Sequence, residues 1–199
     1  MRKLINSLVF IILISSSSNS FAYNSEPKLF IQELVADAVK ILSNKNISKE
    51  DKKKKIETIA LDNVDINALG MYTLGEIRKT LDQDKLREYK NLFEKYFLKS
   101  LTSRLTDYSK NNFEVTGSKQ KSETYTIVAS KIAESSSQPE IRIDWRIYTK
   151  DPAKPLIRDL VVEGLSLAKT QKEEFSSILN SNKNDVNFLL SKLEEFIKN

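Results

Sequence analysis

The chain has 199 residues, of which 40% are hydrophobic and 30% charged, and its formal net charge is +5. This composition is typical of a globular protein with enough residues for one domain and a core of its own. Cys and His are both absent, which excludes disulfides, thiol nucleophiles, Ser-His-Asp catalysis and nearly all zinc sites. No spacing among the remaining carboxylates, Lys or Tyr residues singles out a catalytic group or a metal site, so we expect no cofactor.

The first 22 residues have the pattern of an export signal. Two basic residues precede an apolar run over 4–14, and Ser20 and Ala22 supply the small residues that signal peptidase recognises. The apolar run is about half of the ~20 residues that a membrane-spanning helix needs. We therefore expect cleavage after Ala22 and an exported mature domain over residues 23–199, with the formal charge reduced from +5 to +3.

The mature chain begins with helical patterns. Apolar residues at helical spacing predict helices over 27–42 and 49–61, the second capped by Ser48, and a short helix after the N-cap Asp65. The longest pattern covers 82–109 and has one broad aromatic and aliphatic face. That face is Leu86, Tyr89, Phe93, Phe97, Leu101, Leu105 and Tyr108. Such a face is usually protein core, and a cavity wall is the alternative interpretation.

The period then changes from helical to alternating. The predicted strands cover 113–117, 121–133, 141–148 and 156–163, with a hairpin loop over 135–139. The third strand is the clearest, because Ile143, Trp145 and Ile147 alternate with polar or charged residues. One face of the sheet is therefore expected to be apolar and the other to be solvated.

Two helices close the chain. Gly164 ends the last strand, Ser166 caps the next helix, and Asn184-Asp185 caps the final one. Helices at both ends with antiparallel strands between them are typical of an α+β domain. We expect the helices to pack over a twisted four-stranded antiparallel sheet, because the apolar face of that sheet must be covered.

Five groups of motifs follow one another between Pro27 and the C-terminus. They are Val64-Asp65-Ile66 with Tyr72-Thr73-Leu74-Gly75; Tyr89-x-x-x-Phe93 with Leu105-x-x-Tyr108; Ile143-Asp144-Trp145-Arg146-Ile147; the run 158–167 with Thr170 and Phe175; and Phe188-Leu189-Leu190 with Leu193. In order and spacing the set resembles the MlaC family of periplasmic phospholipid carriers, also called toluene-tolerance auxiliary proteins. The most specific motif is Asp159-x-x-x-Glu163-Gly-x-Ser166. Ile77 and Lys172 depart from the family, which often has Trp and Arg there.

The resemblance implies an apolar cavity between helices and sheet, with acyl chains inside and the headgroup near solvent. It further implies a periplasmic protein that shuttles diacyl phospholipid between an outer-membrane lipoprotein complex and an inner-membrane ABC transporter complex. Such transport maintains the lipid asymmetry of the outer membrane. No catalytic residue or metal is implied, and we expect a monomer.

Physical chemistry supports a carrier of this kind. Each methylene exposed to water costs ~0.8 kcal/mol, so a two-chain lipid cannot cross an aqueous gap unaided. Apolar walls bury such chains without selecting one headgroup. The candidate lipid-binding residues are Ile143, Trp145 and Ile147 of the third strand, Tyr125, Ile127 and Val161 of the neighbouring strands, and Met71, Leu74, Phe93 and Phe97 of the helices. The sequence leaves open which of them line a cavity and which are ordinary core.

Two other classes of function are considered. A periplasmic chaperone or lipoprotein carrier would share the apolar concavity but bind unfolded or acylated proteins. A hydrolase would need a perturbed carboxylate in a cleft; Asp159, Glu163 and Ser166 are better explained by capping and strand-end hydrogen bonds. The lysine run 52–55 is interpreted as a solvated helix face rather than a nucleic-acid site, because Lys is mixed with Asp and Glu throughout the chain.

Overall fold

The structure is a computed structural model that describes residues 23–105, 113–134 and 139–199. The helices are α1 (Pro27–Ser43), α2 (Lys49–Asn63), α3 (Ile66–Thr73), α4 (Gln83–Leu105), α5 (Leu167–Ser181) and α6 (Val186–Lys198), with a 3-10 helix at Gly75–Lys79. The strands are β1 (Phe113–Ser122), β2 (Tyr125–Ile132), β3 (Ile141–Tyr148), β4 (Leu156–Val162) and β5 (Leu165–Ser166). The predicted signal segment 1–22, residues 106–109 of the predicted long helix and residues 135–138 of the predicted loop lie outside the described residues.

Side-chain caps start the helices where the sequence predicted them. Ser48, Asp65, Ser166 and Asp185 each accept a hydrogen bond from a backbone N–H in the first turn of the following helix. Each cap satisfies one of the N–H groups that lack a partner within the helix, which typically stabilises it by ~1 kcal/mol. The predicted starts of α2, α3, α5 and α6 are therefore confirmed.

The strands form one antiparallel sheet in the order β1-β2-β3-β4-β5, which confirms an α+β fold. Two strand boundaries differ from the prediction by more than one residue. β1 continues to Ser122, and β2 starts only at Tyr125, because the polar residues after Gly117 still pair with β2 although they bury little apolar surface. The short β5 is an additional strand, and it pairs with β4 after a turn in which Glu163 and Gly164 have φ of 49° and 81°.

One face of the sheet is covered by α1 and α2. Buried side chains from these helices and from four strands form a core that we call the sheet cluster. Its members are Phe30, Ile31, Leu34, Leu42, Ile56, Ile59, Val115, Val128, Ile147 and Ile157. Phe30, Ile31, Val128 and Ile147 are at most 1% exposed, so the helix–sheet interface is closely packed at these positions.

The remaining helices form a second core beside the sheet, the helical cluster. Its members are Ile66, Leu74, Tyr89, Phe93, Phe175, Leu179, Val186, Leu189, Leu190 and Leu193. The long helix α4 packs against α6, α3 and α2, while α3 and α5 contact β4. None of the helices in the described residues is long and apolar enough to cross a membrane.

Candidate functional site: the helix-facing side of the sheet

The register of the strands determines which side chains share the helix-facing side of the sheet. Ser130 of β2 pairs with Ile143 of β3, which pairs with Val162 of β4. Directly opposite residues of antiparallel strands project to the same face. Trp145 and Ile147 follow at alternate positions, so they share this face with Ile143, as predicted. Ile147 belongs to the sheet cluster, so the face is the one that α1 covers.

Burial changes along this face. Val128 and Ile147 are fully buried beneath α1. At the other end of the sheet the apolar residues of the same face are only half-buried or exposed, and we call this region the open end. It consists of Phe113, Ile132, Ile141, Ile143, Val162 and Leu165. Leu165 is 69% exposed. The open end is an apolar surface that the described helices cover only in part.

Trp145 lies between the closed and the open parts of the face. Its ring packs edge-on against Phe113, with ring centroids 6.2 Å apart. The indole Nε1 donates a hydrogen bond of 2.8 Å to the Ser130 hydroxyl, which in turn donates to the Ile143 carbonyl at 3.1 Å. These polar groups are thus paired within the sheet, and they leave the face apolar without an unsatisfied donor. Such a surface favours contact with hydrocarbon.

Three of the predicted site residues lie on the opposite face. Ile127 pairs with Arg146, Tyr125 with Tyr148 and Val161 with Asp144. They therefore do not share a wall with Ile143, Trp145 and Ile147, and the expectation that these six strand residues line one face is corrected. Burial raises the pKa of the Tyr125 hydroxyl. The sequence could not separate the two faces because β2 has apolar residues at both odd and even positions. The even-numbered positions, which include Val128, face α1.

The four predicted helix residues also lie elsewhere. Leu74 and Phe93 are buried in the helical cluster, Phe97 packs at its margin, and Met71 is half-buried on α3. The expectation that these helix residues and the β3 residues line one cavity between helices and sheet is therefore corrected. The periodicity of α4 defined its apolar face but not its partner, which is provided by α5 and α6 through residues such as Phe175. Among the described side chains of α4, Leu101 packs against the sheet cluster, toward the end of the helix.

Several members of the open end were missed. Phe113 begins β1 and Ile132 ends β2, and strand ends give little periodic signal. Ile141 continues the alternation of β3 and could have been included on that pattern. Leu165 belongs to the short strand β5, which the sequence did not predict.

The polar residues of the most specific motif have structural roles. The Asp159 carboxylate, which is 8% exposed, accepts hydrogen bonds from the Ser166 hydroxyl (2.6 Å) and the Ala168 N–H (2.9 Å), and it pairs with Arg146 at 3.1 Å. Glu163 accepts from the Arg142 N–H. The Asp159 hydrogen bonds fasten the start of α5 to β4, and Glu163 joins the turn after β4 to β3. Both contacts agree with the predicted roles in capping and strand-end hydrogen bonding.

A second ionic contact joins α3 to the sheet. Asp65, which caps α3, pairs with Arg158 at 2.7 Å, and the Arg158 guanidinium stacks on the Tyr148 ring at 3.4 Å from its centroid. In the described residues no group of three or more Asp or Glu side chains is arranged to hold a metal ion.

Two depressions of the described surface lie outside the helix-facing side of the sheet. One, of about 480 Å³, lies at α5 and is lined by residues that include Tyr72, Lys172 and Ser176. The other, of about 220 Å³, is lined largely by polar residues of the sheet, among them Lys131, Arg142 and Asp144. Both have charged linings, whereas the open end offers hydrocarbon.

The geometry defines a class of protein: an α+β domain whose sheet presents a partly covered apolar face beside a separately packed helical core. Comparison with family models places the chain more specifically. The model of the MlaC protein family matches residues 32–195, and the chain belongs to this family.

A solved structure has the same fold. It is the phospholipid-binding protein from Ralstonia solanacearum in complex with a phospholipid, with a TM-score of 0.69 and 15% sequence identity. The alignment covers 84% of this chain and 94% of that chain. The comparison with curated proteins found no match.

Proposed function

We propose that the protein is a phospholipid carrier. The acyl chains of the bound phospholipid lie against the helix-facing side of the sheet, starting at the open end. The observation that carries the proposal is the half-buried apolar surface around Ile143, in a chain of the MlaC family. One structural neighbour is named as a phospholipid-binding protein in complex with a phospholipid. Each buried methylene contributes ~0.8 kcal/mol, so apolar contact alone supplies the affinity that a diacyl lipid needs.

Binding rather than chemistry is supported by the polar groups nearby. Asp159 and Ser166 are occupied in holding the start of α5, and Ser130 is bonded to Trp145 and Ile143. In the proposed function the protein is exported to the periplasm and shuttles phospholipid between an inner-membrane ABC transporter complex and an outer-membrane lipoprotein complex. It acts there as a monomer and contributes to outer-membrane lipid asymmetry.

The direct test is the lipid content of the purified protein. Extraction with organic solvent followed by mass spectrometry should give diacyl phospholipid in a fixed ratio to protein. Recovery of acylated peptides without diacyl lipid would assign the protein to lipoprotein transport instead. An extract that contains neither would contradict the proposal.

A matched pair of variants locates the site. Ile143→Glu places a charge on the open end, and Ile127→Glu places the same charge on the opposite face, where Ile127 is also half-buried in a central strand. Because a buried unpaired carboxylate is strongly unfavourable, we expect lipid content to fall about ten-fold or more in Ile143→Glu only. Circular dichroism of both variants verifies folding. Equal lipid content in two folded variants would show that the open end does not hold the acyl chains.

A further inference from the structure

The connection between α1 and α2 concentrates positive charge. Residues 40–55 contain seven Lys, one Glu and one Asp. Their net charge of +5 equals the formal net charge of the whole chain. Seen in the fold, they are the end of α1, the turn and the first two turns of α2. We call this region the basic tip; its lysines are Lys40, Lys45, Lys49, Lys52, Lys53, Lys54 and Lys55.

Most of these lysines form no ion pair with the part of the chain that the structure describes. The Lys52 ammonium donates to the Leu42 carbonyl at 2.6 Å, and Lys53 lies 4.0 Å from Glu57. The other five lysines are exposed and form no ion pair with the described residues. The helices beyond α2 differ, since several of their lysines pair with a Glu one turn away, as Lys85 does with Glu88.

The location of the basic tip does not serve the stability of α2. A helix N-terminus carries a partial positive charge, so lysines in the first turns are unfavourable there. Glu50 and Asp51 offset this only in part, because five lysines occupy the first seven positions of the helix. A cluster that opposes the helix dipole, and in which five lysines form no ion pair with the described residues, is explained by an anionic partner outside the chain.

The arrangement of the lysines favours one kind of partner. At about 100° per residue, Lys52 to Lys55 point in all directions around the helix axis, so they present no single shaped face. A diffuse positive field of this kind suits a fluid, extended anionic surface. Clusters of four to eight Lys typically bind anionic lipid headgroups, with ~1 kcal/mol for each Lys at the surface.

We propose that the basic tip docks the protein onto the anionic headgroup surface of a lipid bilayer. This proposal goes beyond lipid carriage, because it concerns contact of the protein with a bilayer surface rather than the single lipid that the protein carries. The contact is electrostatic, and it therefore weakens as salt shortens the screening length.

The test is sedimentation of the purified protein with vesicles of phosphatidylcholine alone or of phosphatidylcholine and phosphatidylglycerol in equal parts. The substitutions Lys45→Gln, Lys49→Gln, Lys54→Gln and Lys55→Gln are combined, since none of these lysines has a partner in the described residues. Lys52 is retained because it bonds to α1. We expect the partition coefficient on the anionic vesicles to fall at least about a hundred-fold at low salt.

The matched control also removes four exposed lysines that are spread over the fold. It combines Lys90→Gln, Lys95→Gln, Lys119→Gln and Lys150→Gln. Anionic vesicles should bind the wild type and retain most of this control, whereas neutral vesicles should bind neither. Equal loss in both quadruple variants, or salt-insensitive binding of the wild type, would overturn the proposal. Failure of the wild type to bind anionic vesicles would also overturn the proposal. An acidic protein would then be the partner expected for the basic tip.

Lipid content is measured on the same samples. We expect the basic-tip variant to keep its bound phospholipid while it loses vesicle binding. The two proposals can therefore fail separately. Ile143→Glu tests lipid binding at the open end, and the basic-tip variant tests the contact with the membrane.

Discussion

Replacing Gly70 by Ala places a methyl group against the buried Phe93 ring of the helical cluster. A Cβ built on Gly70 meets Cδ1 of Phe93 at 2.8 Å and Cγ at 3.2 Å, whereas carbon atoms pack favourably at ~3.5 Å or more. The Phe93 ring is 2% exposed and contacts the rings of Tyr89, Tyr96, Phe97 and Phe175. It has little room to move away.

The backbone at Gly70 is equally restrained. Its carbonyl oxygen lies 2.9 Å from the Thr73 hydroxyl and 3.1 Å from the Tyr89 hydroxyl, both buried. Overpacking of this kind typically costs ~1–3 kcal/mol. The greater helix propensity of Ala returns ~1 kcal/mol. We therefore expect Gly70→Ala to lower the free energy of unfolding by about 1 kcal/mol, although the substitution improves the helix itself.

A double-mutant cycle separates the two effects. Phe93→Leu removes the ring atoms that the new methyl group would meet, so Gly70→Ala in that background should be neutral or stabilising. Urea unfolding of the four proteins gives the coupling free energy, which we expect to be about 1 kcal/mol or more. The reasoning fails if Gly70→Ala stabilises the wild type, or if its effect is the same in both backgrounds.

Three further predictions concern polar contacts. Asp159→Ala removes a buried carboxylate and its hydrogen bonds to the start of α5, so it should cost ~3 kcal/mol by urea unfolding; a loss below that of a surface substitution would refute it. Burial raises the pKa of Tyr89, so the unfolded state loses the phenolic proton at a lower pH than the folded state does. The free energy of unfolding should therefore decline as pH rises above ~10. Measured by urea unfolding over alkaline pH, it should decline less steeply in Tyr89→Phe than in the wild type. Ser48→Ala removes the cap of α2 and should cost ~1 kcal/mol, whereas Ser43→Ala, at a helix end without that role, should cost less.

Local features were predictable because they are determined by neighbouring residues. Ser48, Asp65, Ser166 and Asp185 act as caps through hydrogen bonds that span only two or three positions. The alternation in β3 likewise follows from strand geometry alone. These signals suffice for the helices, four of the strands and the α+β class.

The partners of each apolar surface were not predictable in the same way. Ile127 and Val128 are adjacent and both apolar, and only the packing of α1 decides which of them faces inward. For α4 the apolar face was visible, but the sequence does not show whether it meets the sheet or α6. These choices depend on contacts between residues far apart in the chain, and the candidate site was therefore only partly predicted.

The two cores are attached to the sheet in different ways, and this has a consequence for the proposed carrier. Asp159 and Asp65 hold α5 and α3 to β4 through directional hydrogen bonds and ion pairs. No side chain of α1 forms a hydrogen bond to a strand in the described part of the chain, so apolar packing holds α1 on the sheet. Non-directional contacts can be exchanged for contacts with acyl chains, and α1 is then the element that yields when lipid enters beyond Trp145.

Hydrogen exchange can detect this difference. Backbone amides of α1 should exchange faster than those of α5 in delipidated protein. Separation of α1 from the sheet breaks only apolar contacts, whereas separation of α5 also breaks the hydrogen bonds of Asp159. Reloading with phosphatidylglycerol should change exchange in α1 and in β3 near Trp145 while leaving α5 unaltered. An equal change in both helices would mean that the lipid moves the helical cluster as well, and the separation into a fixed and a yielding part would be wrong.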